Sequence, residues 1–234
     1  MPETASTSAS PELWREAIQA MIRFEIFVGA IIFLSAWSLR FWQGWLYWVV
    51  FSGLVWWITI YFLRHDPHLI EARMKAGPGA EQQTAQKIIQ AIAGTLALAL
   101  VVVPGLDHHF GLSYVPAAIV VLADVLVIVG FVFVSQVFRE NSFAASTIKV
   151  EAEQRVISTG PYAIVRHPMY AGASLALLAT PIALGSWWGL LIAIAMIAAI
   201  VVRLLDEERY LAANLAGYDE YRGKVKYRLI PMLW

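Results

Sequence analysis

The runs Arg166-His167-Pro168-Met169-Tyr170 and Arg203-Leu204-Leu205-Asp206-Glu207-Glu208-Arg209-Tyr210 concentrate reactive side chains in two short stretches. Upstream of the first, Gly160-Pro161-Tyr162 signals a turn. Pro168 suits the first turn of a helix, where its missing N–H costs nothing. Arg166 and His167 are therefore expected at a helix N-terminus, whose N–H groups and positive dipole end favour an anion. An Arg and a His added there make an anion-recognition corner. The plainer alternative is an Arg that anchors the helix at the membrane surface, with the His facing head groups. In the second stretch, Arg203 and Glu207 are four apart on one helical face, and Glu208 lies on the adjoining face. Carboxylates at the end of an apolar helix are costly without partners. A cationic ligand is one partner. A solvated helix extension, laced by Arg203–Glu207 and Asp206–Arg209 or Asp206–Tyr210 contacts, is the other.

Further chemistry-capable residues carry less. Tyr218, Tyr221 and Tyr227 lie in the tail, and packing is expected for at least two of them. Asp124 falls in the middle of an apolar run, where a hydrogen bond to a neighbouring helix is the preferred reading over a functional one. His65-Asp66-Pro67-His68 has metal-capable types, but its Pro breaks the helix, and no metal site is expected. The chain has no Cys, so thiolate sites and disulfides are excluded. It also has no G-x-G-x-x-G, no Walker loop and no H-E-x-x-H, so a nucleotide-like cofactor is not held by a Rossmann turn.

The elements that position these residues are set by composition. Of 234 residues, 59% are hydrophobic and 15% charged, with a mean hydropathy of +0.64. A soluble domain carries roughly a quarter charged residues. Ten Trp, nine Tyr and eleven Phe suit a chain that sits at lipid interfaces as well as in lipid. The net charge of zero points to no nucleic-acid partner. A span needs roughly 20 mostly apolar residues. Residues 24–39, 41–63, 88–106, 113–138, 168–184 and 187–205 qualify or nearly do, the first and fifth being short. The reading is an all-α polytopic membrane bundle of about six helices, five if the fifth does not cross.

Charge supports this count. With the N-terminus inside, sixteen of the seventeen basic residues fall in inner segments and only Arg40 falls outside. That asymmetry gives an N-in/C-in topology. It puts the loop 139–167 and the tail 203–234 on one face, the cytoplasmic one, most simply of the cell inner (plasma) membrane. Residues 1–12 read as a disordered leader. Residues 13–138 read as an amphipathic surface helix, over 13–22, followed by four spans. Residues 139–234 read as the functional region.

The order Gly160-Pro161-Tyr162, Arg166-His167-Pro168-Met169-Tyr170-Ala171-Gly172, a two-helix hairpin, then Glu207-Glu208 and a Tyr/Arg-rich end resembles isoprenylcysteine carboxyl methyltransferases. It is also similar to the pattern of phospholipid N-methyltransferases. The resemblance covers residues 139–231. It implies an enzyme that uses S-adenosylmethionine (SAM), bound at the cytoplasmic membrane face between the loop and the C-terminal segment. By that resemblance Gly160, Pro161, Tyr162, His167 and Tyr170 contact the cofactor. Glu207 or Glu208 pairs with its ammonium or binds its ribose. Arg203 or Arg166 holds a carboxylate, the cofactor's or the substrate's. Asn141 and Phe143 sit where the family has an Asn-Phe segment, which makes Asn141 a catalytic candidate beside Arg203 and Arg166.

The residues agree with that chemistry. SAM carries a sulfonium, a carboxylate and an ammonium, and binding it needs carboxylates, anion donors and aromatic faces. Methyl transfer asks the protein chiefly to align the partners and exclude water. A carboxylate or thiol acceptor is favoured, because an amine must be deprotonated and no base stands out beyond His167. The acceptor is expected to be lipophilic or small, reached from membrane lipid, with no metal and no nucleic acid. Two other classes remain open. The end Val225-Lys226-Tyr227-Arg228-Leu229-Ile230-Pro231 resembles the tail of sterol reductases, which use NADPH. A transporter or assembly factor would make use of Asp124, although no two-half symmetry is visible.

Overall fold

The computed structural model describes residues 9–74, 84–141 and 156–234. Among them every regular element is helical: α1 (Pro11–Ala36), α2 (Trp42–His65), α3 (Pro67–Met74), α4 (Thr84–Phe110), α5 (Ala117–Glu140), α6 (Pro168–Ala183), α7 (Gly189–Asn214) and α8 (Tyr218–Lys224), with a 3₁₀ turn at Gly160–Ala163. Five of these, α1, α2, α4, α5 and α7, are long and apolar enough to cross a membrane. The chain is an all-helical polytopic membrane protein.

Local sequence sets the ends. Ser10 caps α1, its Oγ accepting from the Leu13 N–H at 3.1 Å, and Pro11 opens the first turn. α1 then runs unbroken for 26 residues. The amphipathic stretch and the first span expected from the sequence are thus one helix, which begins inside the stretch read as a leader; residues 1–8 of that leader lie outside the described residues. Between α2 and α3, Asp66 Oδ1 accepts the Leu69 N–H at 3.2 Å, and Pro67 starts the new helix. His65 turns back onto its own helix, its ring 4.2 Å from that of Tyr61. Among the described residues no group of three or more His, Asp or Glu is placed to hold a metal.

α6 has only sixteen residues and falls short of the length of the five candidate spans. The turn that follows it is tied to the α4–α5 connection. Ser186 Oγ and Ser113 Oγ both donate to Asp107, and the Trp187 indole donates to the Tyr114 carbonyl at 3.1 Å. The opposite end of α6 lies beside the end of α7. α6, shorter than the five candidate spans, is thus held at both of its ends. α5 and α6 approach each other closely. A Cβ on Gly130 would stand 2.8 Å from the Gly172 carbonyl oxygen, and one on Gly172 would stand 2.8 Å from the Phe133 ring. Small residues let backbones meet where lipid offers no hydrophobic drive.

The core between α1, α2, α5 and α6 is built from Val28, Ile32, Tyr47, Val127 and Ala179. Asp124 sits against it, 3% exposed, and neither carboxylate oxygen has a hydrogen-bond partner. The hydrogen bond to a neighbouring helix expected for it does not form.

Candidate functional site

The start of α6, the end of α7 and the C-terminal segment meet on the face of the bundle opposite the Asp107 turn. The backbone sets the frame. The Arg166 and His167 N–H groups donate to the Tyr227 and Arg228 carbonyls, each at 2.9 Å. Glu208 clasps the three segments together. One of its oxygens accepts from Arg166 Nε at 2.6 Å and lies 3.3 Å from His167 Nε2, while the other accepts from Arg228 Nε at 2.9 Å. The Glu208, Arg166 and His167 side chains are 7%, 6% and 5% exposed. Arg166 Nη1 also donates to the Val225 and Lys226 carbonyls at 2.8 and 2.9 Å. The Arg228 guanidinium lies 5.2 Å from the Trp234 ring centre.

The anion corner read from the sequence is therefore turned inward. The Arg166 and His167 N–H groups, the Arg166 side chain and one edge of the His167 ring are spent on holding the tail. Burial of that many polar groups is sustained only because each finds a partner.

A second network lies next to the clasp and is half-buried. Tyr170 OH donates to Glu207 Oε2 at 2.7 Å and accepts from Arg203 Nε at 3.2 Å. Arg203 Nη1 donates to Gln86 Oε1 at 2.9 Å, and the Gln86 amide donates to Asp206. The contact drawn from the sequence between Asp206 and its own helix gives way to one with α4. Glu207 and Glu208 are adjacent in sequence and point different ways, as residues one step apart on a helix must.

The 3₁₀ turn closes the third side. Gly160 has φ 55°, in the left-handed region that favours glycine, and a Cβ there would stand 3.0 Å from the Glu140 carboxyl. Thr159 Oγ1 donates to Glu140, and Asn141 Nδ2 donates to Tyr162 OH at 2.8 Å. Tyr221 OH donates to the Tyr162 carbonyl at 2.8 Å. Burial pushes the Tyr162 phenol up to about 12, the Asn141 hydrogen bond opposing this and the nearby Glu207 and Glu140 carboxylates adding to it. Burial likewise raises Tyr218 and Tyr221. Tyr218 and Tyr221 are packed, whereas Tyr227 is exposed.

The structure thus brings Arg166, His167 and Glu208 into one cluster and Tyr170, Arg203 and Glu207 into a second, with Gly160, Pro161, Tyr162 and Asn141 alongside. Phe143 lies outside the described residues. Sequence reasoning missed Gln86, Glu140 and Arg228. Gln86 is 1% exposed, yet in the sequence it is one more polar residue ahead of an apolar run, which gave no signal. Arg228 looked like one more basic residue of the tail.

An all-helical bundle of candidate membrane spans, with an ionisable cluster at one face, defines the class as a polytopic membrane protein. Residues 118–216, from the start of α5 to just past the end of α7, match the family model described as phospholipid methyltransferase. The match supports a membrane methyltransferase. It contains α6, α7 and every hydrogen-bonded side chain of both networks except those of Gln86 and Arg228. None of the curated proteins searched matches the chain.

Proposed function

We propose that the protein is a SAM-dependent methyltransferase that acts on the polar head of a lipophilic acceptor at the cytoplasmic membrane face. The observation that carries this is the half-buried Tyr170–Glu207–Arg203 network beside the Gly160–Tyr162 turn, within the region matched by the methyltransferase family. The residue types fit the cofactor. Glu207 suits its ammonium or ribose, Arg203 its carboxylate, and the Tyr162 and Tyr170 rings its cationic sulfur. When bound, SAM supplies an electrophilic methyl group. Glu207 and Arg203 orient, while Tyr170 fixes the two relative to each other. The clasp at Glu208 closes the back of the site against water, so Arg166, His167 and Glu208 act as positioning residues.

A carboxylate or thiol acceptor is favoured by one observation. His167, the nearest candidate base, has Nε2 turned onto Glu208 at 3.3 Å. An acceptor that is already anionic needs no base, only orientation. The second reading is a phospholipid amine, favoured by the family description and by the Glu140 and Glu207 carboxylates near Tyr162, which would attract an ammonium head. Membranes containing the protein, incubated with methyl-labelled SAM, separate the two. A methyl ester releases its label as methanol on mild alkaline hydrolysis; an S-methyl and an N-methyl group both keep theirs, and mass spectrometry of the labelled product tells the sulfur acceptor from the amine. Binding of NADPH without binding of SAM by the purified protein contradicts both readings and favours a reductase.

A further inference from the structure

A cavity of about 530 Å³ lies inside the bundle between α1, α2, α4, α5 and α6. Phe24, Phe51, Val101, Phe131 and Leu177 are typical of its walls. Two hydroxyls reach it, those of Tyr47 and Thr180, and they hydrogen-bond each other at 3.2 Å at the end remote from the candidate site. The cavity opens sideways toward lipid, where its lining residues Phe27 and Leu98 are 57% and 45% exposed.

Two helix stripes connect it to the candidate site. On α6, Tyr170 is followed by the cavity residues Ala173, Leu177 and Thr180 at intervals of three and four, which keeps them on one face. On α4, Gln86 and Gln90 are followed in the same way by the cavity residues Gly94, Ala97 and Val101. Tyr170 and Gln86 both bond Arg203. The polar network therefore stands in line with the apolar body of the cavity, on the same two helix faces. From Ala173 to Thr180 that body runs about 10 Å along the helix axis.

We propose that this cavity holds the apolar chain of the methyl acceptor, and that the Tyr47–Thr180 floor limits the chain length accepted. The assignment rests on the reading of the protein as a lipid methyltransferase. A chain gains little by leaving lipid for an equally apolar wall, so selection here works through shape and length. Gly94 lines the cavity from α4. A Cβ there meets nothing within 4 Å, so a large side chain has room to enter the cavity without displacing backbone.

The test uses the full chain in phosphatidylcholine nanodiscs with palmitic acid bearing a diazirine at its chain terminus. After irradiation, adducts are mapped by peptide mass spectrometry. Adducts are expected on Phe51, Val101 and Thr180. Gly94→Phe is expected to lower them about tenfold, equivalent to ~1.4 kcal/mol. Gly53→Phe is the control, since Gly53 also has open space at its Cβ but lies outside the cavity lining, and it leaves the adducts unchanged. Ala97→Phe repeats the test should Gly94→Phe fail to fold. Adducts spread over exposed residues such as Val49, Leu122 and Val202 in the parent protein, or kept in both cavity variants, overturn the proposal. SAM binding is measured on the same samples. Cavity adducts without SAM binding would remove the methyltransferase reading, whereas SAM binding without cavity adducts would remove only the chain site.

Discussion

Glu208 places both carboxylate oxygens on cationic side chains, while its neighbour Glu207 reaches a phenol in the half-buried network. The two residues should separate cleanly under mutation. Glu208→Gln breaks a buried ion cluster, a change that costs about 3–5 kcal/mol when one partner is removed. It should lower the unfolding midpoint in detergent. Glu207→Gln should leave that midpoint in place and weaken SAM binding, read by calorimetry. Tyr170→Phe removes the hydroxyl that joins Glu207 to Arg203 and should weaken SAM binding about tenfold, as a lost charge-assisted bond of ~1.5 kcal/mol implies. The buried phenols give a pH prediction. The pKa of Tyr162 lies near 12 in the folded protein against 10.0 for the free group, so the folded state keeps its proton longer. Its contribution to stability is complete below pH 10 and is lost as pH rises toward 12, with Tyr218 and Tyr221 acting in the same direction. Alkaline titration followed by phenolate absorbance and by unfolding midpoint checks the order. At this scale the sequence showed which residue types mattered, because charges at the end of apolar helices are rare. It did not show which were buried. Glu207 and Glu208 read alike until the tail carbonyls and Arg228 took up one side of α7.

The helix break at Pro67 was legible because a proline marks it, whereas the Ser10-Pro11 start of α1 was read as part of a disordered leader. The continuity of α1 was not legible, because a polar-edged amphipathic stretch and an apolar span share the same helical period. The tie that holds the far end of α6, between Ser186 and Asp107, was also hidden, since the two residues lie 79 positions apart in the chain. The close pair Gly130 and Gly172 holds α6 in place. Gly172→Leu should overpack that contact by about 1–3 kcal/mol or more. Because α6 carries Tyr170 at its start, the variant should lose SAM binding along with stability. Retained affinity would mean that the site does not depend on the α5–α6 crossing.

For the whole molecule, the absence of Cys makes orientation directly testable. Single cysteines at Leu112 and at Lys224, both exposed, should react with a membrane-impermeant maleimide from opposite sides. Reaction of Lys224→Cys only from the inner side places the site on the cytoplasmic face, as the basic-residue count predicts. The helical membrane class was the most legible property because it depends on summed hydropathy, which needs no tertiary contact. The acceptor was the least legible, because the α1, α2 and α4 walls that would meet it carry ordinary apolar side chains and lie outside the matched region. The central claim is tested most directly by incubating the purified protein with methyl-labelled SAM and a total membrane lipid extract, then counting label in the organic phase. Transfer to a lipid by the parent protein, with at least most of it lost in Glu207→Gln, is the predicted result. SAM left intact and unbound, with no label in lipid at any protein concentration, would contradict the account.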